Sequence, residues 1–215
     1  MSEHTFTPAL GRLGPARYFD AVVALARDRL WRALTVMYLG PRPGEVILDV
    51  GCGTGTLAVL LSRVEPRARI IGVDPDPDVL AVAESKAGAS GVDWRVGMGD
   101  ALGESVEAES VDAIVSSLVL HQCPTAMKRA VLESAFRTLR PGGRLVITDY
   151  GRQRTKLMRA AFRIVQCADG KTDTQPNADG ILPMLMSEAG FCDVHEADVV
   201  STISGSISIY LARKN

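Results

Sequence analysis

Three glycines at alternate positions, Gly51, Gly53 and Gly55, stand between an acid, Asp49, and a helix-compatible run, Leu57 to Leu61, in the stretch DVGCGTGTL. The apolar Val46-Ile47-Leu48 leads into it, so a buried strand turns sharply into a helix where the missing Cβ atoms let a ligand approach the backbone. A dinucleotide fingerprint, GxGxxG, needs its third glycine at position 56, which is Thr56, and a P-loop needs GK[ST], yet no lysine follows. Asp74, 25 residues after Asp49, ends the run Gly72-Val73-Asp74, where a carboxylate can accept both hydroxyls of a ribose. Asp100, followed by the small Ala101 in Gly97-Met98-Gly99-Asp100-Ala101, suits an adenine edge, its carboxylate accepting from the exocyclic amine.

These residues need elements that bring them to one edge, and the apolar pattern supplies them. Residues 1–16 read as a lead-in punctuated by Pro8, Gly11, Gly14 and Pro15. A helix follows on the three-and-four spacing of Phe19, Val22, Val23, Ala26, Leu30, Ala33, Leu34 and Met37, ended by Gly40-Pro41-Arg42-Pro43-Gly44. Strands are expected at 46–50, 69–73, 92–96, 112–116 and 144–149, separated by helices at 56–64, 78–87 and 125–139, the last stopped by Pro141-Gly142-Gly143. Further helices are expected near 154–167 and 178–189. The β-branched tail from Phe191 to Leu211, interrupted at Ser204-Gly205-Ser206, reads as a closing strand pair. Apolar strands alternating with helices predict an α/β, doubly wound sheet, mostly parallel, with an antiparallel strand added at one edge near the C-terminus. In such a sheet ligands bind past the carboxyl ends of the strands, where Asp49, Asp74 and Asp100 fall.

In this order, VILDVGCGTG, GVDPD, MGDAL and LRPGGRLVITD, covering about residues 45–150, resemble the class I S-adenosylmethionine-dependent methyltransferases. VDAIVSSLVLHQCP ahead of LRPGG is most similar to the branch that holds the ubiquinone and menaquinone C-methyltransferases and other small-molecule enzymes. The resemblance implies a Rossmann-like fold, S-adenosylmethionine as cofactor and S-adenosylhomocysteine as product. It also implies methyl transfer to a small, apolar or aromatic acceptor, a quinone or lipid precursor leading. Carried over residue by residue, Gly51, Gly53 and Gly55, with Cys52 between them, form the glycine loop. Asp49 serves the amino-acid end of the cofactor, Asp74 with Pro75 the ribose, and Asp100 with Ala101 the adenine; Ser116 joins the same site. The plainer reading of Asp74, before Pro75, is a cap for the next helix. A nicotinamide-dependent oxidoreductase, which Thr56 opposes, and a cofactor-binding module without catalysis are the alternative functions.

A sulfonium methyl is already activated, so the family has no universal catalytic residue, and proximity and orientation do most of the work. His121, just after the fourth strand, is the one candidate base, its neutral imidazole able to take a proton at pH 7; orienting the loop or touching the cofactor is the competing role. Asp149 either binds substrate or caps the loop after it. The position equivalent to [DN]PP[YF], which marks enzymes acting on amino groups of adenine or glutamine, reads Ser116-Ser117-Leu118-Val119, which argues against that class. Enzymes of this resemblance often lay an N-terminal helix over the pocket, which makes Tyr18 and Phe19 substrate-binding candidates in a lid that also holds Arg17, Trp31 and Tyr38.

The chain is 215 residues long with net charge −1, enough for one domain with a sizeable core and no match for a strongly basic nucleic-acid binder. It is expected to divide into a helical lid, 1–44, a cofactor core, 45–150, a helical substrate-side insertion, 151–190, and closing strands, 191–215. Four cysteines, Cys52, Cys123, Cys167 and Cys192, form no CxxC pair and have no histidine at ligand spacing, so no metal is expected. Cys123 reads as packing, and His4 and His195 as structural or exposed. With no apolar leader and no run near ~18 apolar residues, a cytoplasmic protein is expected. Residues 151–171 carry six Lys/Arg and one acid. Within RQRTKLMRAAFRIVQC, residues 152–167, Leu157, Met158, Ala161, Phe162 and Val165 share one face and Lys156, Arg159 and Arg163 another. Such a helix can rest on an anionic membrane or meet an acidic substrate, and a surface helix packing on the sheet edge is the preferred reading.

Overall fold

The computed structural model describes residues 28–88 and 90–215. Seven strands form one sheet in the order β3-β2-β1-β4-β5-β7-β6: β1 (Val46–Val50), β2 (Arg69–Asp74), β3 (Asp93–Val96), β4 (Val111–Ser117), β5 (Leu139–Tyr150), β6 (Cys192–Thr202) and β7 (Gly205–Arg213). The first five run parallel, and β7 runs antiparallel to both of its neighbours. The helices are α1 (Asp28–Leu39), α2 (Thr56–Val64), α3 (Pro77–Ala87), α4 (Thr125–Thr138), α5 (Lys156–Asp169), α6 (Lys171–Asp179) and α7 (Leu182–Glu188).

Successive strand residues point to opposite faces, and two cores result. Leu48, Val50, Ile71 and Val73 pack with Leu132 of α4 and Leu182 and Leu185 of α7. Ile47, Ile70, Ala113 and Val115 pack with Val36 and Leu39 of α1 and Leu57 and Leu61 of α2. Asp49 shares the parity of Ile47, so the strand period puts its carboxyl on the α1–α2 side.

The antiparallel strand is not at the edge. β7, GSISIYLAR, is buried along nearly its whole length and lies between β5 and β6, whereas β6, with Asp193, His195, Glu196 and Asp198, forms the edge. Charge belongs on an edge strand and the continuous apolar strand inside. The helix expected over 178–189 is α7, beginning later, and α6 before it was not expected; Gly180, at φ +91°, separates the two. The α6 sequence, KTDTQPNAD, has no apolar period to reveal it. The expected helix before Asp28 lies outside the described residues.

Arg144 of β5 anchors α1 to the sheet. Its Nε donates to the Leu39 carbonyl at 2.5 Å, Nη2 donates to Gly40 at 3.0 Å, and the fork meets Glu45 at 2.7 and 2.6 Å. Burial raises the Glu45 carboxyl, but the Arg144 fork and the Arg42 amide outweigh it and hold it below its usual range. Replacing Arg144 with Met strands two carbonyls and a carboxylate, and is expected to cost about 2–3 kcal/mol in urea unfolding at pH 7. Because a depressed carboxyl stabilises only above its folded pKa, the deficit should shrink as pH falls below 4.5; a constant deficit would speak against the pairing.

Candidate functional site

β1 pairs with β2 on one side and β4 on the other, so the order reverses at β1 and a crevice opens past its carboxyl end. The chain leaves there through Gly51, Gly53 and Gly55, at φ +69°, +53° and +73°. A Cβ on Gly51 would collide with Val119, and one on Gly55 with Trp94 and Ala83, whereas a Cβ on Gly53 would meet nothing within 4 Å. The outer glycines let the loop pack, and the middle one presents bare backbone to open space. The Gly51 and Cys52 amides donate to the Val73 carbonyl at 2.8 and 3.1 Å, tying the loop to β2. Burial pushes the Cys52 thiol far up, so it is no nucleophile at neutral pH.

Asp49 is fully buried, and among the described residues neither carboxyl oxygen has a hydrogen-bond partner of good geometry. Burial pushes it up to about 7; Arg32 acts against the rise, Asp74 adds to it, and the Ala58 amide at the start of α2 lies near enough to oppose it weakly. Asp74 accepts from the Gly53 amide at 2.9 Å and the Asp76 amide at 3.0 Å. Burial raises its carboxyl, with those two donors opposing. The cap of α3 is Asp76, which accepts from the Asp78 and Val79 amides, so Asp74 has no capping duty there. Pro75 follows, partly buried, and Asp100 and Ala101 occupy a 3-10 turn, Gly99–Glu104, after β3. The Ser116 hydroxyl donates to the Val50 carbonyl at 2.8 Å, so it ties β4 to β1 instead of facing the crevice with a free donor.

Asp149 caps the turn after β4, not the loop after itself. One oxygen accepts from the amides of Val119, Leu120 and His121 at 3.1, 2.6 and 3.2 Å; the other meets His121 Nδ1 and the Tyr150 amide, both at 2.7 Å. With five donors on it, its expected part in holding substrate lacks a free oxygen. His121 Nε2 lies 3.4 Å from Asp169 at the end of α5, and the ring stands edge-on to Tyr150 at 5.0 Å. Burial opposes charge on the ring, but Asp149 and Asp169 carry it up to about 9. An imidazolium at pH 7 is not a proton acceptor, which removes the basis for the expected base role and favours the orienting one.

Lys128 was silent in the sequence. It is fully buried on α4 and its Nζ donates to the carbonyls of Cys123 at 2.5 Å and Asp173 at 2.7 Å, joining the β4 turn to α6. Lys128 and Asp169 look like helix-surface charges in the sequence, and nothing local marks their burial. Cys123 is packed, its thiol raised by burial to about 11. Trp31 packs with Leu118, Tyr150 and Phe162 near this turn, while Tyr38 reaches towards Ala197 and Asp198 of β6. His195 binds the Asp193 carbonyl on that edge strand, away from the turn. Tyr18 and Phe19 lie outside the described residues. Among the described residues, no group of three or more His, Cys, Asp or Glu is placed to hold a metal.

A family model described as a methyltransferase domain matches residues 47–143, the span from β1 to the start of β5. Residues 47–143 are a class I S-adenosylmethionine-dependent methyltransferase domain. Membership decides against the nicotinamide oxidoreductase. A ubiquinone/menaquinone biosynthesis C-methyltransferase of Desulfotalea psychrophila is 28% identical, over 82% of this chain and 77% of its own length. A malonyl-[acyl-carrier protein] O-methyltransferase of Methylococcus capsulatus is 36% identical over 72% of this chain, which spans 54% of that protein. A demethylmenaquinone methyltransferase of Deinococcus radiodurans is 32% identical over 67% of this chain, which spans 59% of it. Among solved structures, a methyltransferase of Thermotoga maritima superposes with TM-score 0.71 at 20% identity, over 93% of this chain and 95% of its own; at that identity the likeness is one of fold.

The donor set fits the cofactor. Among the described residues the Asp49 carboxyl has no hydrogen-bond partner, which suits an ammonium, and the side of Gly53 is open to a bulky group; an adenosyl cofactor without phosphates needs no phosphate cradle. Gly53→Ala should cost only about 1–2 kcal/mol from its left-handed φ yet weaken S-adenosylhomocysteine binding in calorimetry. Gly55→Ala should cost about 3 kcal/mol or more through collision with Trp94; equal losses of stability and binding in both variants would contradict the division of roles. The His121 pKa is raised above 6.5, so its stabilisation is complete below 6.5 and lost as pH rises through 9. Urea unfolding of the wild type should lose up to roughly 3 kcal/mol over that window, and His121→Asn should flatten it. The Asp49 carboxyl gives a decline of its own at lower pH, between 3.8 and about 7, and that one should persist in the variant.

Proposed function

We propose that this chain methylates a small molecule, with a quinone or lipid precursor as the leading acceptor class. The Asp49 carboxyl, with no hydrogen-bond partner among the described residues, and the open side of Gly53 on the loop that follows carry the reading, because they match the amino-acid end of an adenosyl cofactor. S-adenosylmethionine, when bound, supplies a methyl activated on a sulfonium for in-line attack by the acceptor. Gly51, Gly53 and Gly55 shape the loop around it, Asp49 neutralises the ammonium, Asp74 accepts from the ribose hydroxyls, and Asp100 with Ala101 borders the adenine. His121, charged and held by Asp149 and Asp169, fixes the wall after β4 and leaves the acceptor's proton to solvent. The names of the quinone-methylating relatives support the acceptor class. A lid from residues 1–44, with Tyr18 and Phe19 against the acceptor, belongs to the same reading. A cytoplasmic setting does as well, supported by four free cysteines and by the lack, among the described residues, of a helix long and apolar enough to cross a membrane.

Transfer of labelled methyl from S-adenosylmethionine to demethylated quinones is the test. Incorporation is expected, together with a loss of cofactor affinity of about tenfold or more in Asp74→Ala, the scale of a lost charged hydrogen bond. Cofactor binding without transfer to any quinone or lipid precursor would remove the acceptor class, and unchanged affinity in Asp74→Ala would remove the ribose assignment.

A further inference from the structure

α5 has more apolar surface than its place in the fold uses. Phe162 and Val165 are buried against Tyr150, Val200 and Ile207, which is the sheet-packing role expected of this helix. Leu157, grouped with them by sequence, instead stands 80% exposed, and Ile164 is 61% exposed. At 100° per residue, Leu157, Ala160, Ile164 and Cys167 fall on one outward stripe. Lys156, Arg159 and Arg163, all exposed, run alongside it. Arg152 and Arg154 precede the helix and Lys171 follows it, so the segment keeps its excess of cations although Arg154 pairs with Glu196 and Arg159 with Asp179.

We propose that this face of α5 seats the protein on an anionic lipid bilayer. The charge of the segment complements acidic headgroups, and Leu157 and Ile164 are the apolar side chains that would enter the interface beneath them. Ile203, 61% exposed, is a further apolar side chain left outward on the turn between β6 and β7. The position is also useful. α5 follows the carboxyl end of β5, and its last residue, Asp169, meets His121 at the crevice. Seated this way, the protein would hold the mouth of its site near molecules dissolved in the bilayer. That purpose rests on the quinone or lipid reading above, although lipid binding itself does not.

The test is co-sedimentation of the full chain with vesicles of phosphatidylcholine alone or with phosphatidylglycerol added. Binding is expected to the anionic vesicles only and to fall with salt. The double variant Leu157→Glu, Ile164→Glu should weaken it about tenfold or more, with S-adenosylhomocysteine affinity unchanged as evidence of an intact fold. No binding to anionic vesicles, or binding that the variant retains, overturns the proposal. A variant that loses self-association in sedimentation velocity while vesicles stay unbound assigns the face to a second copy and overturns it too. Failure of the methyltransfer reading shows separately, in the labelled-methyl assay with soluble acceptors.

Discussion

A carboxyl group with no hydrogen-bond partner among the described residues, buried near the carboxyl end of β1, sets the terms for the rest of the structure. Leaving an ionised group dry and unpaired costs several kcal/mol, so the Asp49 carboxyl is raised to about 7 and stays half protonated at neutral pH. The surroundings are arranged for the arrival of a cation. β1 lies where the strand order reverses, its exit loop is tied down through β2, and Gly53 keeps the approach clear. α1 closes this side of the sheet and brings Arg32 near enough to moderate the carboxyl without pairing with it, since Arg32 is itself engaged with Asp28.

The opposite wall depends on a second buried charge, handled in the reverse way. Asp149 is saturated with donors, and its bond to His121 continues to Asp169, so one line of charge joins β5, the β4 turn and the end of α5. Lys128 adds a link from that turn to α6. The left-handed Leu118, at φ +56°, sits where this bracing begins, its amide held by Thr148. The two walls thus differ in kind: the Asp149 carboxylate is saturated with donors, and the Asp49 carboxyl accepts from none among the described residues.

Much of this was legible in the sequence because its signals are local. Strand boundaries followed from apolar runs, and the loop from glycine spacing, whose steric reason needs only the turn itself. Asp74 and Asp100 were singled out by their places after strands, and they lie at the end of β2 and just past β3. What escaped depends on distant partners or on missing periodicity. Asp149 and His121 are 28 residues apart, and no local pattern says that one will cap the other's turn. The burial of Lys128 follows from two carbonyls, one of them 45 residues away. α6 has no apolar period, and Leu157 fits a buried stripe on paper but lies beyond the part of α5 that the sheet covers.

The central claim is that Asp49 awaits a cation supplied by the cofactor, and proton counting tests it most directly. S-adenosylhomocysteine would be titrated calorimetrically at pH 7 in buffers of different ionisation enthalpy. Near its pKa of about 7 the carboxyl is half protonated, so docking an ammonium should release about half a proton in the wild type and none from this source in Asp49→Asn. Binding with the same proton count in both proteins would contradict it.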